Sequence, residues 1–469
     1  MANFEKINGV VKETINSNQI KYYFPTCYIF INIADDSMIK RPSINSENQN
    51  TVSFSELTDN LGATDIEEYV DLLAEQGFFF DNVQKVDLGF GANLDASGRL
   101  RVSQLNTQLD IKQFKDNQPL LIDRENVGGA TQTWDTTEGV DMVVSANLDA
   151  AISESFQSAT YFSGKSQLGE ITFSEGQNQT NVVKRVGYFS SNTVTPFDST
   201  KDGLWYEADG TDYRFRIQKG GVDILNVAQA DWNINKANWF DASKFNVFVF
   251  QFLYLGGTAV RLGFINEGVI TWCHQYNHAG LVAGTFVNTP QQPVRYEIRS
   301  SGGAGTLKQV CAQIASEGSR GEAGINSFIS SIGQNLSSSA NNYAVLAFRL
   351  KAAYKDISII EEKISFNAIT NDDFVWRLCR NPTFASTPTF TDKTNSALQV
   401  YTGNIQISAF GYELDGGVVA ANSASTDVLS SKIKPGIGID GTPDQFVIVI
   451  NPKSNNASVD TTITLTELR

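Results

Sequence analysis

The sequence predicts a mainly β protein that consists of a small α+β N-terminal domain, a central jelly-roll-like antiparallel β-sandwich and a C-terminal β domain. Three observations lead to this fold class. Short apolar or alternating runs recur from about residue 101 to the C-terminus. Clusters of Gly, Asn and Asp separate these runs, as is typical of turns between antiparallel strands. The clearest helix signal is confined to the first 80 residues, where it follows β-rich segments.

The N-terminal domain is predicted to span residues 1–82, with a linker at 83–98. Thr64 and Glu67 form a capping box, and Gly77 fits the end of a helix over residues 64–76. Apolar residues recur on one face of that helix. Before it, residues 22–33 form a β-rich run.

The central sandwich is predicted to span residues 99–325. Residues 245–255 are apolar on both faces, as expected for a central strand, whereas residues 213–217 alternate and should have one face in water. We expect about ten strands here, including one in ATYFS (159–163). A polar linker is predicted at 326–336, and a third unit with at least six strands at 337–469.

The charge balance is acidic, because 36 Lys and Arg face 51 Asp and Glu, a net charge of −15. No basic patch is visible, which argues against nucleic-acid binding. Residues 42–81 contain nine acidic residues and no Lys or Arg, so this segment is either a solvated face or a docking surface for a basic partner. No apolar run is long enough to cross a membrane, and the N-terminus lacks a secretion signal. We therefore expect assembly in a cytoplasm.

Few residues suggest catalysis. The two histidines, His274 and His278, lie close together. Either Cys273 with His278 or His274 with His278 would supply only two metal ligands, which are too few, so we interpret the histidines as hydrogen-bonded residues at a sandwich edge. No nucleophile, zinc or phosphate-loop motif is present. Glu207 and Glu297 stand without the neighbouring acids that glycosidases carry along one strand. We predict no enzyme, with no catalytic, cofactor-binding or metal-binding residues.

Two further residue types are weighed for binding. The four cysteines are predicted to be buried small hydrophobic residues: Cys27, Cys273, Cys311 and Cys379. Five aromatic residues are either glycan-stacking platforms, beside turns that could hold Ca²⁺, or core and edge residues: Trp134, Trp205, Tyr206, Trp232 and Trp239. Trp205 and Tyr206 are the candidate glycan contacts.

Several longer segments resemble a known group of proteins. They include GRLRVSQLNTQLDIKQFKDNQPLLID (98–123), KRVGYF (184–189), VRLGFINEGVI (260–270), PVRYEIRSSGGAG (293–305) and DGTPDQFVIVINP (440–452). Together they resemble virion proteins of tailed phages. Residues 53–80 are similar to capsid-side segments of such proteins, including head fibres of crAss-like podoviruses.

The resemblance implies a structural virion protein without cofactors, a homotrimeric head fibre or decoration protein bound to the major capsid protein or other head proteins. Its N-terminal domain would attach to the capsid through five residues on the predicted helix: Glu67, Glu68, Tyr69, Asp71 and Glu75. Two alternatives stay open. One is a tail appendage that recognises host surface polysaccharide, and the other is a polysaccharide depolymerase.

Overall fold

A computed structural model describes the backbone of residues 3–7, 10–16, 19–23, 27–32, 37–42 and 50–53. It describes residues 105–469 in full, except 193–196, 198–199, 255–258, 319–323, 371 and 430–432. The chain divides into two compact units, residues 1–89 and 90–469. Within the described part of the chain, no helix has the length and apolar character needed to cross a membrane.

The first unit contains a six-stranded antiparallel sheet in which each strand pairs with the next along the chain. Its strands are β1 (Asn3–Ile7), β2 (Val10–Asn16), β3 (Gln19–Tyr23), β4 (Cys27–Asn32), β5 (Ser37–Pro42) and β6 (Asn50–Ser53). The helix predicted over residues 64–76 lies outside the described residues. So do the five predicted capsid-attachment residues: Glu67, Glu68, Tyr69, Asp71 and Glu75.

The second unit begins with a jelly-roll-like sandwich of two antiparallel sheets, the back sheet and the front sheet. The back sheet has the order β19-β18-β17-β12-β21-β10-β9, and β7 also pairs with β21. Its strands are β7 (Leu105–Lys112), β9 (Thr131–Asp135), β10 (Gly139–Val144), β12 (Gln167–Ser174), β17 (Asn246–Phe252), β18 (Ala259–Asn266), β19 (Val269–Asn277) and β21 (Gly305–Glu317).

The front sheet has the order β16-β15-β14-β13-β20-β11-β8. Its strands are β8 (Ile122–Val127), β11 (Ala150–Ser155), β13 (Val182–Ser191), β14 (Lys201–Ala208), β15 (Tyr213–Lys219), β16 (Val222–Ala228) and β20 (Val294–Ser300). One core joins the two sheets. Phe248 and Phe264 from the back sheet lie within 6 Å of Phe215 from the front sheet, and Phe215 stacks on Trp232 at 4.1 Å between ring centroids.

A second sandwich follows, with a four-stranded sheet in the order β22-β32-β24-β30 and a seven-stranded sheet in which β26-β28-β23-β31-β25-β29 is extended by β27 beside β28. The strands are β22 (Ile325–Leu336), β23 (Tyr343–Leu350), β24 (Ser358–Ala368), β25 (Phe374–Arg380), β26 (Thr383–Phe384), β27 (Thr391–Asp392), β28 (Leu398–Ala409), β29 (Tyr412–Val419), β30 (Ala424–Val428), β31 (Phe446–Pro452) and β32 (Ala457–Leu468). Helical residues among those described form two short 3₁₀ turns, Gln229–Asp231 and Ala352–Tyr354.

The mainly β fold predicted from the sequence is confirmed, and so are its most diagnostic strands. β17 lies in the interior of the back sheet and is buried on both faces, with Phe250 in the main core and Val249 in a small cluster on the other side. β15 buries Phe215 and Ile217, whereas Arg214 and Arg216 face outward.

Two local predictions are wrong. Residues 159–163 are not a strand. They belong to the connection between β11 and β12, where Tyr161 packs against Phe252 and Tyr254. The linker predicted at 326–336 is strand β22, which pairs with β32 along most of its length. Ser and Asn dominate the exposed positions of β22, whereas Ile329 and Leu336 are buried in the second core.

The two sandwiches belong to one compact unit and are joined by buried and partly buried polar contacts. The hydroxyl of Thr160 donates to that of Ser358 at 2.8 Å. Asp123 accepts a hydrogen bond from the backbone N–H of Ile439 at 2.7 Å. Arg380, which is 2% exposed, donates to the backbone carbonyl of Leu120. The third predicted unit is therefore a sandwich of its own that packs onto the first.

Glu361 of β24 should make the second sandwich less stable as the pH rises. Burial raises its pKa to about 8, although Lys434 lowers it in part. The unfolded chain loses this proton near pH 4.3 and the folded chain near 8, so unfolding becomes easier across that interval. We expect Glu361→Gln to remove this slope and to stabilise the protein by about 1–3 kcal/mol at pH 9. Urea denaturation at pH 5, 7 and 9 measures the effect.

The matched control for Glu361 is Glu362→Gln, because Glu362 is the next residue of the same strand and is exposed. It should change the pH dependence of the urea midpoint only slightly, because the charge of Glu362 is the smallest of the effects that set the raised pKa of Glu361. Equal slopes in the wild type and in Glu361→Gln would contradict the assignment.

Candidate functional site

The two histidines have different surroundings in the structure. His274 lies on β19, an edge strand, and its Nδ1 accepts a hydrogen bond from the backbone N–H of Asn233 at 3.2 Å. Burial, helped by nearby Lys236, lowers the pKa of His274 to about 4, so its ring is neutral at pH 7. His278 is 1% exposed and packs edge-on against Tyr276 and Phe286.

The predicted hydrogen bond is thus present for His274. For His278 it stays a prediction; among the described residues, none is a hydrogen-bond partner of either ring nitrogen. Among the described residues, no group of three or more His, Cys, Asp or Glu is arranged to hold a metal ion.

The described cysteines match the prediction of small buried residues in two of three cases. Cys273 and Cys379 are fully buried, and burial raises the pKa of each thiol to about 12. Cys311 is only partly buried, and burial raises its pKa as well. These thiols stay protonated at pH 7 and are poor nucleophiles. The side chain of Cys27 lies outside the described residues.

The outer face of the front sheet carries a row of charged side chains that strand pairing brings together. Arg185 of β13 lies opposite Glu207 of β14 and opposite Glu297 of β20. Its guanidinium donates to Glu207 at 2.6 Å and to Glu297 at 2.9 Å. Lys201 and Arg295 also contact Glu297, at 3.1 and 3.3 Å. This network, with its outer members, comprises Arg185, Lys201, Arg216, Arg295, Glu154, Glu207, Asp223 and Glu297.

The two central carboxylates of this network are held ionised. Burial alone would raise the pKa of Glu297, but Lys201, Arg185 and Arg295 outweigh it and hold that pKa well below its usual value. In the same way Arg185 and Arg216 lower the pKa of Glu207 against the effect of burial. A glycosidase needs one carboxyl group with a raised pKa to act as general acid. Glu207 and Glu297 lack that property, so their proximity favours a structural role.

Trp205 and Tyr206, the candidate glycan contacts, are each 1% exposed. Tyr206 faces the core, and its hydroxyl donates to Glu175 at 2.5 Å. Trp205 faces the charged network, where its indole N–H donates to Glu207 at 3.2 Å and its ring packs against Phe189. Their assignment as glycan contacts is wrong, because neither ring offers a face to a ligand.

The three other tryptophans considered as glycan-stacking platforms also pack against, or hydrogen-bond to, other residues of the protein. Trp232 is 1% exposed and stacks in the core. Trp239 is partly buried and packs against the same core. Trp134 is partly buried, and its indole N–H donates to the carbonyl of Gln113 at 2.7 Å. These contacts favour the interpretation of the three tryptophans as core or edge residues over their interpretation as glycan-stacking platforms.

Glu175 is a carboxyl group with a raised pKa, but it lies inside the first sandwich. Burial raises its pKa to about 7, in spite of the hydrogen bond from Tyr206 and the charge of Lys184. Its side chain is 0% exposed, and Lys184, 1% exposed, donates to its backbone carbonyl. A group so completely enclosed has no contact with solvent or substrate.

Two of the cavities at the surface of the described residues have room for a small molecule. One, of about 490 Å³, lies between the sandwiches and is lined by carboxylates, among them Asp123, Glu125 and Asp440. Several of these are used to join loops: Asp123 accepts from Ile439, and Asp440 accepts from Thr442. We call the other, of about 320 Å³, the end pocket; it lies at one end of the first sandwich and is lined by Gln177, Asn178, Tyr213, Phe240, Asp241 and Ser243 together with small residues. Sequence reasoning did not single out these six residues.

No protein-family model matches the chain, and no curated protein matches its sequence. Part of this chain is similar at low identity to several solved structures. The carbohydrate recognition domain of Emp47p is 15% identical, with a TM-score of 0.31, and the match covers 46% of this chain and 98% of that one. The Ca²⁺/Man₃GlcNAc-bound exoplasmic/lumenal domain of VIP36 is 10% identical, with a TM-score of 0.31, and the match covers 47% of this chain and 92% of that one. Bacillus licheniformis β-glucanase is 13% identical, with a TM-score of 0.29, and the match covers 46% of this chain and 100% of that one. Likenesses this distant say nothing about the activity of this chain.

Proposed function

We propose that this chain is a structural protein of a phage particle, a homotrimeric head fibre or decoration protein that attaches to the capsid through its N-terminal domain and has no enzymatic activity. The resemblance of residues 98–123, 260–270 and 293–305 to tailed-phage virion proteins supports the location. The observation that carries the assembly role is an exposed sheet face with almost no charge, on the outside of the second sandwich.

This surface, the threonine face, is the outer side of the sheet β22-β32-β24-β30. Register places Phe328, Thr464, Lys363 and Val428 in one row across the four strands, and Ser330, Thr462, Ser365 and Thr426 in the next. The face includes Asn326, Phe328, Ser330, Ile332, Asn335, Ile360, Glu362, Lys363, Ser365, Asn367, Ala424, Thr426, Val428, Ser458, Asp460, Thr462, Thr464 and Thr466.

The threonine face is suited to contact with a second copy of the same chain. Its charged members are Lys363 and Asp460, and the exposed Glu362 lies in the β-bulge beside Lys363, so the face carries at most one net negative charge on a chain whose net charge is −15. Two acidic copies repel each other, and they repel least where each presents a neutral surface. Large apolar side chains are exposed on it: Phe328 is 57% exposed, Ile332 61% and Val428 81%. Lys393 donates to the carbonyl of Phe328 at 2.9 Å and so blocks this part of the strand edge, which favours contact through the face.

Phe328→Lys tests this assembly role. A charged residue in place of an exposed aromatic anchor should weaken self-association at least about tenfold while the fold is kept. Sedimentation velocity over a concentration series measures the association constant. The matched control is Phe245→Lys, because Phe245 is 53% exposed and lies on the first sandwich. A monomeric wild type at high concentration, or equal effects of the two variants, would contradict the proposal.

Attachment to the capsid is tested in the full chain by neutralising three acids of the predicted helix: Glu67→Gln, Glu68→Gln and Asp71→Asn. We expect the triple variant to stay folded and trimeric but to be lost from purified particles, because a basic partner no longer binds it. A control that removes the same charge from exposed sites combines Asp116→Asn, Asp231→Asn and Glu267→Gln. Normal incorporation of the first variant would remove the helix from the attachment site.

Recognition of a host surface polysaccharide is a second candidate function. The end pocket favours it, because aromatic rings and uncommitted polar groups line one cavity there.

A further inference from the structure

We propose that the end pocket binds a single neutral sugar ring, with Tyr213 and Phe240 as its stacking surface and with Asp241 and Asn178 as its hydrogen-bonding groups. This inference rests on the second candidate function, glycan recognition, and is independent of assembly through the threonine face. It places recognition on different residues from Trp205 and Tyr206.

The pocket has a rigid aromatic wall. Tyr213 and Phe240 are partly buried and meet edge to face, with 5.2 Å between their centroids. Behind them Tyr206 stacks on Tyr213 at 6.2 Å and lies 5.7 Å from Phe240, so the core fixes both rings. A wall that does not need to be ordered on binding loses little entropy when a ligand stacks on it.

Asp241 supplies a fixed acceptor. Its Oδ1 accepts from the hydroxyl of Ser243 at 2.7 Å and from the backbone N–H of Ser243 at 2.9 Å. These bonds, the hydroxyl's first, lower the pKa of Asp241, so it is ionised at pH 7. Among the described residues, none donates a hydrogen bond to its Oδ2, which therefore keeps its acceptor capacity for a ligand.

Asn178 supplies the complementary donor. Its Oδ1 accepts from the backbone N–H of Gly210 at 2.7 Å, and this bond fixes the orientation of the amide. The Nδ2 group is then left to donate, since no described residue accepts from it. Tyr213, which also lines this cavity, carries a hydroxyl group as well as its ring.

This set of groups defines the ligand class. A pyranose has an apolar face that stacks on aromatic rings and adjacent hydroxyls that donate to a carboxylate and accept from an amide. The volume of about 320 Å³ lies at the small end of ligand pockets, which run from roughly 300 to 1,000 Å³, so it suits one ring of a longer glycan. The negative charge of Asp241 disfavours acidic sugars.

The test measures binding of methyl glycosides to the full-length protein by saturation-transfer difference NMR. The neutral probes are the methyl glycosides of glucose, galactose, mannose and N-acetylglucosamine; the other probes are methyl glucuronide and choline. We expect saturable binding of at least one neutral probe below about 10 mM, and at least tenfold weaker binding of methyl glucuronide.

Two variants locate the site. Asp241→Asn keeps an oxygen for Ser243 but loses the free acceptor, and Tyr213→Leu removes the stacking surface; each should weaken binding at least tenfold. Asp116→Asn is the control and should bind as the wild type does. If Tyr213→Leu misfolds by circular dichroism, Asp241→Asn alone decides.

Three outcomes would overturn the assignment: no neutral probe binds, choline or the glucuronide binds best, or Asp241→Asn binds normally. None of them affects the Phe328 assembly assay, so failure of the sugar site and failure of the structural role are distinguishable.

Discussion

Replacing Glu297 with glutamine is expected to destabilise the protein by about 3–5 kcal/mol at neutral pH, the range found when one partner of a buried ion pair is removed. Glu297 is 0% exposed and contacts Arg185, Lys201 and Arg295. A neutral amide leaves the buried Lys201 and Arg295 and the partly buried Arg185 with one compensating charge fewer. Chemical denaturation in urea, followed by tryptophan fluorescence, measures the loss.

The effect of Glu297→Gln should depend on pH in a defined direction. The folded-state pKa of Glu297 is held below its unfolded value, which is near 4.3. Its contribution is therefore complete above that value and is lost as the pH falls below it, because the unfolded chain then binds the proton more readily. The stabilities of the wild type and of the variant should approach each other as the pH falls below about 4.

The control for Glu297 is Glu138→Gln. Glu138 pairs with Lys308 at 2.7 Å, but its side chain is 52% exposed, so its loss should cost no more than about 1 kcal/mol. The double variant Glu297→Gln, Lys201→Met should recover part of the loss, because it also removes one uncompensated cation. Equal losses of stability for Glu297→Gln and Glu138→Gln would show that the ion pairs of Glu297 contribute no more than an exposed ion pair does.

Strand patterning predicted the fold class because a half-buried strand alternates apolar and polar residues and a fully buried strand is a continuous apolar run. The alternation of Arg214, Phe215, Arg216 and Ile217 has period two, and each residue faces the side that this period predicts. β22 was missed because its outward positions carry Asn, Ser and Phe and its buried Ser327 is polar. Ser327 is buried because its hydroxyl donates to Glu467, a partner 140 residues away.

The candidate sites were less predictable, because they depend on which strands become neighbours. Arg185 meets Glu207 across 22 residues and Glu297 across 112, and neither separation marks a motif. Trp205 and Tyr206 point to opposite faces of β14, so an exposed ring was a reasonable expectation for one of them. Both faces of this strand are covered, and burial of that kind is a property of the assembled sheets that a local pattern cannot show.

Replacing Arg380 with methionine is expected to destabilise the second unit by about 3–5 kcal/mol and to uncouple its two sandwiches. Arg380 ends β25 of the second sandwich and is 2% exposed. Its guanidinium pairs with Asp444 at 2.7 Å, and it also reaches the first sandwich, where it donates to the carbonyl of Leu120 and lies 4.3 Å from the ring centroid of Phe156.

Methionine can keep much of the packing on Phe156, but it can neither donate to Leu120 nor compensate Asp444. Burial already raises the pKa of Asp444 even though Arg380 opposes this effect. Without Arg380, Asp444 must be buried unpaired or take up a proton, and either costs stability. The variant Arg380→Met, Asp444→Asn should therefore be more stable than Arg380→Met alone.

Differential scanning calorimetry separates the two consequences of Arg380→Met. When the sandwiches are coupled they should unfold in one transition, and the variant should show two, because the contact that transmits unfolding between them is lost. Arg377→Met is the matched control, since Arg377 lies on the same strand but pairs with the half-exposed Glu413, and it should cost at most about 1 kcal/mol. A single transition in Arg380→Met, with a loss no larger than that of Arg377→Met, would mean that the sandwiches are held together by their other contacts, such as those of Thr160 with Ser358 and of Asp123 with Ile439.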